Sequence, residues 1–375
     1  MKLATTTLFF CVAALLSLGM VILYSSSTAQ VGAHYLMMQL VWCALGLVGA
    51  TIAATFDYHH LKKISLPLLA LSVVLLGLVF APQIGIKVNG ARRWIGHGAI
   101  RFQPSELGKN ALIIFIAHYG ERYQRQMGTF FRGLVVPGIF IGLLLSLIFI
   151  EPDRGCTILL AAVSATMLVI AGVRLKIIVP PALLAVTALA ISFFYDPMRM
   201  KRILAWLHPE QSKEGVGYQA YQAMIALGSG GWFGLGLGNG RQKLGFVPEH
   251  HTDFIFSIIG EELGLIATIA VVLVFILLVI CGIFISSRAR DTFGLLLGSG
   301  VTFLIGFQAF INIGVVTSTL PNKGMPLPFI SYGGSNLLVM LVAVGILLSV
   351  ARQGIEVARK KSNPFGDAMP TPQLT

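Results

Sequence analysis

FIFSIIGEELGLIATIAVVLVFILLVICGIFIS, residues 254–286, is apolar from end to end except for Glu261 and Glu262 near its start. About 20 apolar residues cross a bilayer. This run exceeds that length, so it is expected to tilt or protrude. Similar runs lie near 7–24, 35–55, 64–81, 105–119, 133–150, 156–173, 176–195, 294–317 and 334–351. The chain has 375 residues, of which 56% are hydrophobic and 11% charged. A soluble domain is about a quarter charged. An ordinary soluble enzyme, a disordered chain and a secreted disulfide scaffold are therefore excluded. The expected fold is an all-α polytopic membrane protein of about ten transmembrane helices. Residues 1–352 form one domain, and 353–375 read as a disordered tail. The first run also resembles a signal peptide, with cleavage near Ser27-Thr28-Ala29. Its apolar region is longer than a signal peptide's, so an uncleaved helix is the favoured reading.

Ten crossings put both termini on one side, which positive-inside bias makes cytoplasmic. The formal charge is +12, from 27 Lys and Arg against 15 Asp and Glu. On a soluble protein that charge would suggest nucleic acid, but here topology accounts for much of it. Two loops on the expected outer side, 82–104 and 196–253, break the bias with Lys87, Arg92, Arg93, Arg101, Arg202, Arg241 and Lys243. Binding an anion is the simplest reason for them to do so. The loop 196–253, between the seventh and eighth runs, holds Trp206, Tyr218, Tyr221 and Trp232 and is expected to be ordered, with a short interfacial helix over 218–227. Cys11, Cys43, Cys156 and Cys281 have no metal spacing and are expected as buried thiols.

Five polar constellations interrupt the apolar pattern. In Gly90-Ala91-Arg92-Arg93-Trp94-Ile95 and Arg101-Phe102-Gln103-Pro104-Ser105-Glu106-Leu107-Gly108-Lys109, Glu106 and Lys109 share a helix face just inside the membrane. They form either an ion pair or the floor of a polar cavity. Glu151-Pro152-Asp153-Arg154-Gly155 is a turn whose Asp153 suits a helix cap. Residues 228–240 are glycine-dense but lack a nucleotide-binding register. Those glycines suit close backbone approach, and Arg241, Gln242 and Lys243 follow with donors. Pro248-Glu249-His250-His251-Thr252-Asp253-Phe254 ends in a carboxylate that reads either as a helix cap or as a base facing the basic loops. At least one of Glu261 and Glu262 must face a cavity or a partner group. The Pro- and Gly-rich segment 321–335 reads as a rigid loop at membrane depth, beneath which Gln308 and Asn312 share an interior face.

Taken in order, Arg92-Arg93-Trp94-Ile95, Gln103-Pro104-Ser105-Glu106, Glu151-Pro152-Asp153, Gly228-Ser229-Gly230-Gly231, His251-Thr252-Asp253-Phe254, Glu261-Glu262-Leu263-Gly264 and Leu327-Pro328 to Ser335 resemble the SEDS family of bacterial cell-wall proteins (shape, elongation, division and sporulation). The resemblance runs to about residue 352 and is closest to the division members, with the elongation members next. Arg154, Asn239 and Asn336 depart from the family pattern. The resemblance implies an inverting peptidoglycan glycosyltransferase that polymerises lipid II at the outer face of the bacterial cytoplasmic membrane, at the division septum. It implies Asp253 as the catalytic carboxylate. Glu106, Lys109 and Asp153 would lie in a central cavity, and Arg92, Arg93, Arg101 and Lys109 would neutralise the developing pyrophosphate charge. Gln242, Lys243, His251 and Ser331 complete the expected substrate contacts. It further implies a class B penicillin-binding protein and division-complex proteins as partners, a divalent cation (Mg or Mn) as an assisting ion, and no nucleotide or nucleic acid. The competing readings are an elongation polymerase, a lipid II flippase and a scaffold without chemistry. The absence of an inverted repeat weighs against the flippase.

Overall fold

The computed structural model describes residues 1–27, 34–81, 83–88, 91–97, 100–208, 215–244 and 251–362. The long helices follow the apolar runs: α1 (Lys2–Ser27), α2 (His34–Thr55), α3 (His60–Leu78), α4 (Pro104–Arg122), α5 (Val136–Ile150), α6 (Arg154–Ile170), α7 (Leu175–Phe194), α10 (Ile255–Ser287), α11 (Thr292–Val316) and α12 (Gly334–Ser362). Two short helices, α8 (Pro197–Leu207) and α9 (Tyr218–Ser229), lie between α7 and α10. Among the described residues, eight helical segments are long and apolar enough to cross a membrane, α5 counting together with the helical turn before it as Phe131–Ile150. The other two long ones are α6, which has 17 residues, and α4, which carries Glu106, Lys109, Glu121 and Arg122. α4 tolerates these charges because neighbouring helices surround it: Leu112, Ile113, Ile116 and Ala117 on several faces are all buried.

Met1 lies against Gly354 and Gly19 against Ile330, so α1 runs antiparallel to α12, whereas α2 runs parallel to it. Small residues set the closest approaches. Gly46, Gly49 and Ala50 of α2 meet Leu341, Val342 and Gly345 of α12, where van der Waals contact replaces the missing hydrophobic drive. α1 is built into the bundle through Leu8, Leu15, Ile22 and Leu23, all fully or nearly fully buried. Cys11, Cys156 and Cys281 are buried free thiols, whereas Cys43 is only half-buried.

Three details differ from the expectations. First, the loop 82–104 contains a small antiparallel sheet, β1 (Gly85–Val88), β2 (Ala91–His97) and β3 (Ile100–Phe102), in the order β1-β2-β3. The Asn89-Gly90 pair between β1 and β2 is a strong hairpin signal in the sequence. Second, α12 continues through Ser362, so residues 353–362 are helical; 363–375, where the tail was placed, lie outside the described residues. Third, α10 is broken. Gly264 has φ 80° and ψ −174°, which separates a short segment before it from a longer apolar one after it. The excess length of the 254–286 run is therefore a separate segment that carries Glu261 and Glu262.

The far end of the bundle from the 317–333 loop is tied by polar groups. Asp291 caps α11 through Gly294 N at 3.1 Å and accepts from the Tyr58 hydroxyl. Lys62 bridges Asp291 at 3.2 Å and Glu121 at 2.7 Å.

Candidate functional site

α4 starts at Pro104, whose missing N–H costs nothing at a first helical position. Its first turns bring Glu106 and Lys109 into the bundle, where both are buried. Lys109 Nζ donates to Glu106 Oε1 at 2.8 Å and to Gln308 Oε1 of α11 at 3.0 Å. Asn336 of α12 donates to Glu106 Oε2 at 2.9 Å. Four side chains from three helices thus form one neutralised network, as charge at this depth requires. Asn336, a departure from the family pattern, supplies a partner for this carboxylate.

One turn above Gln308, Asn312 donates to Asp253 O at 2.8 Å and to Met325 O at 2.6 Å. Gln308 also donates to Pro326 O at 3.0 Å. Together they fasten the 325–326 backbone and Asp253 over the buried ion pair. Asp253 lies one residue before the N-cap of α10, which is Phe254, so the carboxylate does not serve as that cap. It lies instead against Gly324, where an added Cβ would overlap it. His251 stacks on Tyr35 with ring centroids 4.6 Å apart, and its carbonyl accepts from Tyr332 N at 2.9 Å. The Ser331 hydroxyl donates to Thr252 O and accepts from Leu327 N at 2.8 Å. His251 and Ser331 therefore brace the segment that carries Asp253.

Asp153 does cap α6, accepting from Cys156 N at 3.2 Å. Gln103 Nε2 lies 3.5 Å and Lys323 Nζ 4.0 Å from its carboxylate. Arg93, on β2, donates to Glu151 O at 3.0 Å and Pro152 O at 2.8 Å, so the sheet clamps this turn. Burial pushes Lys323 down to about 8; Asp153 opposes the shift, while Arg93 and Arg202 add to it. Burial pushes Glu151 up to about 8, with Asp153 adding and Arg93 opposing. Arg154, another departure, places its guanidinium 4.9 Å over the Phe149 ring.

The remaining expected residues lie elsewhere. Arg92, also on β2, reaches Phe80 O at 3.5 Å. Arg101 is exposed, and its carbonyl accepts from the Ser335 hydroxyl at 3.2 Å. Gln242 and Lys243 belong to a second cluster. Arg241 N and Gln242 N donate to Glu261 Oε1 at 2.7 and 3.3 Å. Lys243 Nζ pairs with Glu262 Oε1 at 2.7 Å, and the Ser25 hydroxyl of α1 joins them. The glycine-rich segment explains the break beside this cluster. Leu235 N and Gly236 N donate to Glu261 O and Glu262 O at 2.9 and 3.0 Å. Leu265 N and Ile266 N donate to Gly231 O and Trp232 O at 2.9 and 3.3 Å. Four backbone groups on either side of the break thus find partners. Gly234 and Gly264 touch backbone to backbone, both with positive φ, so neither position accommodates a side chain.

Pro248, Glu249 and His250 lie outside the described residues. Among the described residues, no three of His, Cys, Asp or Glu gather as a metal cage would require, so the described residues do not by themselves form a divalent-cation site. Lys323 was not among the expected site residues. Its signal was being the sole cation in the 321–335 segment.

A family model described as "Cell cycle protein", covering FtsW, RodA and SpoVE, matches residues 5–355. The chain is 42% identical over 357 residues to a "Probable peptidoglycan glycosyltransferase FtsW" of Trichlorobacter lovleyi, covering 94% of this chain and 93% of that one. It is 37% identical over 345 residues to "Stage V sporulation protein E" of Bacillus subtilis, covering 90% and 94%. A solved structure described as "Structural coordination of polymerization and crosslinking by a peptidoglycan synthase complex" superposes with TM-score 0.79 at 27% identity, covering 92% of this chain and 97% of that one. The crystal structure of Thermus thermophilus RodA gives 0.68 at 25% identity, covering 92% and 96%. With one family model spanning nearly all of it and relatives this similar along most of their length, the chain belongs to the FtsW, RodA and SpoVE family of cell cycle proteins.

Proposed function

We propose that this chain is a peptidoglycan glycosyltransferase that joins lipid II units into β-1,4 glycan strands for septal wall synthesis. The observation that carries the reading is the seating of Asp253: a carboxylate held by its own backbone against Gly324, next in the chain to the half-buried cation Lys323. FtsW names among the relatives favour division over elongation. Asp253 takes the proton of the acceptor 4-hydroxyl. The acceptor oxygen bonds to the donor anomeric carbon, inverting α to β, as the bond from that carbon to phosphate breaks. Undecaprenyl pyrophosphate leaves with the bonding electrons. Lys323 and Arg93 lie where that developing charge would be neutralised. Lys109, whose ammonium is already held by Glu106 and Gln308, sets the polarity of the floor. No step is assigned to a metal.

The same reading has ten crossings, including α4 and α6, both termini in the cytoplasm, and the sheet and the α8–α9 region on the outer face of the inner membrane. A class B penicillin-binding protein is the partner, as the synthase-complex neighbour suggests. The test uses purified protein and its cognate penicillin-binding protein with fluorescent lipid II, plus penicillin to silence cross-linking. Wild type should give glycan ladders and Asp253→Ala none. Ladders from both would remove Asp253 from the chemistry, and ladders from neither, with the partner bound, would favour a flippase or scaffold.

A further inference from the structure

Residues 228–240, GSGGWFGLGLGNG, carry no charged side chain, although they belong to the long segment between α7 and α10. Their large side chains are turned out. Trp232 is 66% and Phe233 82% exposed, and Leu235 and Leu237 follow as exposed residues. The glycines turn inward instead: Gly230 packs on Gly260 O and Gly234 on Glu262 O. The result is a one-sided crest of two rings and two leucines, on a backbone clasped to the segment 255–263. In water such a crest would be an aggregation-prone patch.

Its position says what covers it. Leu265 N donates to Gly231 O and Ile266 N to Trp232 O, so the crest lies level with the start of the long part of α10. From Gly264 to Ser287 that part is about 35 Å long at 1.5 Å per residue, enough to cross a hydrocarbon core of about 30 Å. Leu265, Ile266, Ile269 and Leu273 are exposed along it and so face acyl chains. The crest continues this lipid-facing surface at its edge, the depth at which aromatic residues anchor membrane proteins. The neighbouring charges do not oppose burial there. Glu262 and Lys243 are buried against each other at 2.7 Å, and Glu261 accepts from Arg241 N at 2.7 Å.

We infer that the 231–237 clasp inserts its crest into the outer leaflet and so fixes the height of the Asp253 segment above the lipid. The segment 255–263 links the two. Asp253 lies just ahead of it, and the clasp grips its end through Glu261 O and Glu262 O at 2.9 and 3.0 Å. A substrate on a polyprenyl tail also has its height set by the membrane. Anchoring both to one boundary brings the anomeric carbon and the carboxylate to the same level. The height role rests on the glycosyltransferase reading above, and the insertion does not.

The test has two arms. In the first, the full chain is reconstituted in vesicles whose lipids carry bromine on the upper acyl carbons, alone and with its penicillin-binding protein. The difference in quenching between wild type and Trp232→Phe isolates Trp232. Brominated lipid should quench it more than aqueous iodide does, and the reverse order would overturn the inference. So would lipid quenching that vanishes once the partner binds, which would mark the crest as a protein interface. In the second arm, the double variant Trp232→Ser, Phe233→Ser is given lipid II with its full tail and an analogue with a short, water-soluble tail. The full-tail rate should fall about 10-fold or more, while the short-tail rate stays within about 2-fold of wild type, because a misplaced reacting centre costs rate only where the membrane dictates the placement. The double variant Trp232→Phe, Phe233→Leu should keep both rates. Equal losses on both substrates would reduce the crest to a structural role, and no loss on either would remove the height role. If the serine variant does not fold, Phe233→Ser alone carries this arm. Should wild type extend neither substrate, the glycosyltransferase reading fails and the height role with it, while the quenching arm still decides the insertion.

Discussion

Lys109→Met separates what the buried ion pair does for the fold from what it does for the reaction. The Lys109 ammonium makes three hydrogen bonds, at 2.8 and 3.0 Å to the two Glu106 oxygens and 3.0 Å to Gln308. Methionine keeps most of the stem volume and removes the charge. Glu106, 4% exposed, then keeps its bond from Asn336 but loses its counter-charge. Removing one partner of a buried pair costs about 3–5 kcal/mol. Adding Glu106→Gln removes the stranded charge and keeps an acceptor for Asn336. The double variant should therefore recover about 2–4 kcal/mol, which is the coupling between the two side chains. Unfolding in mixed micelles, followed by tryptophan fluorescence across the four-member cycle, measures this. A loss below about 1 kcal/mol for Lys109→Met would refute the argument, because the ammonium would then not be what makes the Glu106 carboxylate tolerable at that depth. The lipid II assay on the same proteins adds the second answer. A stable double variant that still polymerises confines the pair to structure, and one that is stable but inactive places Lys109 in the reaction.

Asp253→Asn should keep the fold and lose about 10²–10⁴ in polymerisation rate, read as ladder formation against a melting curve like that of wild type. Gly324→Ala should displace the Asp253 carboxylate it would overlap and cost on the order of 10²-fold in rate; wild-type rates would show the contact to be dispensable. Lys323 carries its charge below about 8 and loses it above, so the rate should fall as pH rises through that value and the fall should vanish in Lys323→Arg. The same alkaline limb in both proteins would assign it to another group. Glu151 titrates near 8 when folded against 4.5 in the ordinary case. Its contribution to stability is complete below about 4.5 and is lost as pH rises to about 8, because the unfolded chain releases that proton first. Glu151→Gln should flatten stability over that window and melt higher at pH 8; a slope identical to wild type's would sink the account.

The ten long helices were legible because hydrophobic run length in a bilayer is close to a one-dimensional rule. Even α4, with its charges, was visible as an apolar run between polar ends. What the run length hid was where a helix breaks. The segment around Glu261 and Glu262 looks continuous with α10 until the backbone of 231–236 is seen to satisfy the groups on either side of Gly264. No periodicity reports a hydrogen bond from a segment some thirty residues earlier. The same limit governed the site. Glu106 and Lys109 declared themselves as a pair by their spacing of three. Lys243 looked like a free outer cation, but Glu262 and Ser25 claim it from two other elements. Lys323 stood in plain view in the 321–335 segment, yet its value came only from lying beside Asp153 and ahead of Gly324.

The distribution of polar side chains along the bundle bears on what the protein is for. Toward one end, Glu106, Lys109, Gln308 and Asn312 lie beneath three connecting segments that present Asp253, Lys323 and Asp153. At the other, Tyr58, Lys62, Glu121 and Asp291 consume one another's charge in ties that join the start of α3 to α4 and to α11. A carrier must open alternately to both faces around a central site, and ties that close one face would have to break on every cycle. A polymerase needs access at one face only, and benefits from a floor that does not move while a carboxylate and two cations hold a pyrophosphate-linked sugar above it. The locked far end and the crowded near end are what the second requirement asks of a bundle, and the first would have to undo them.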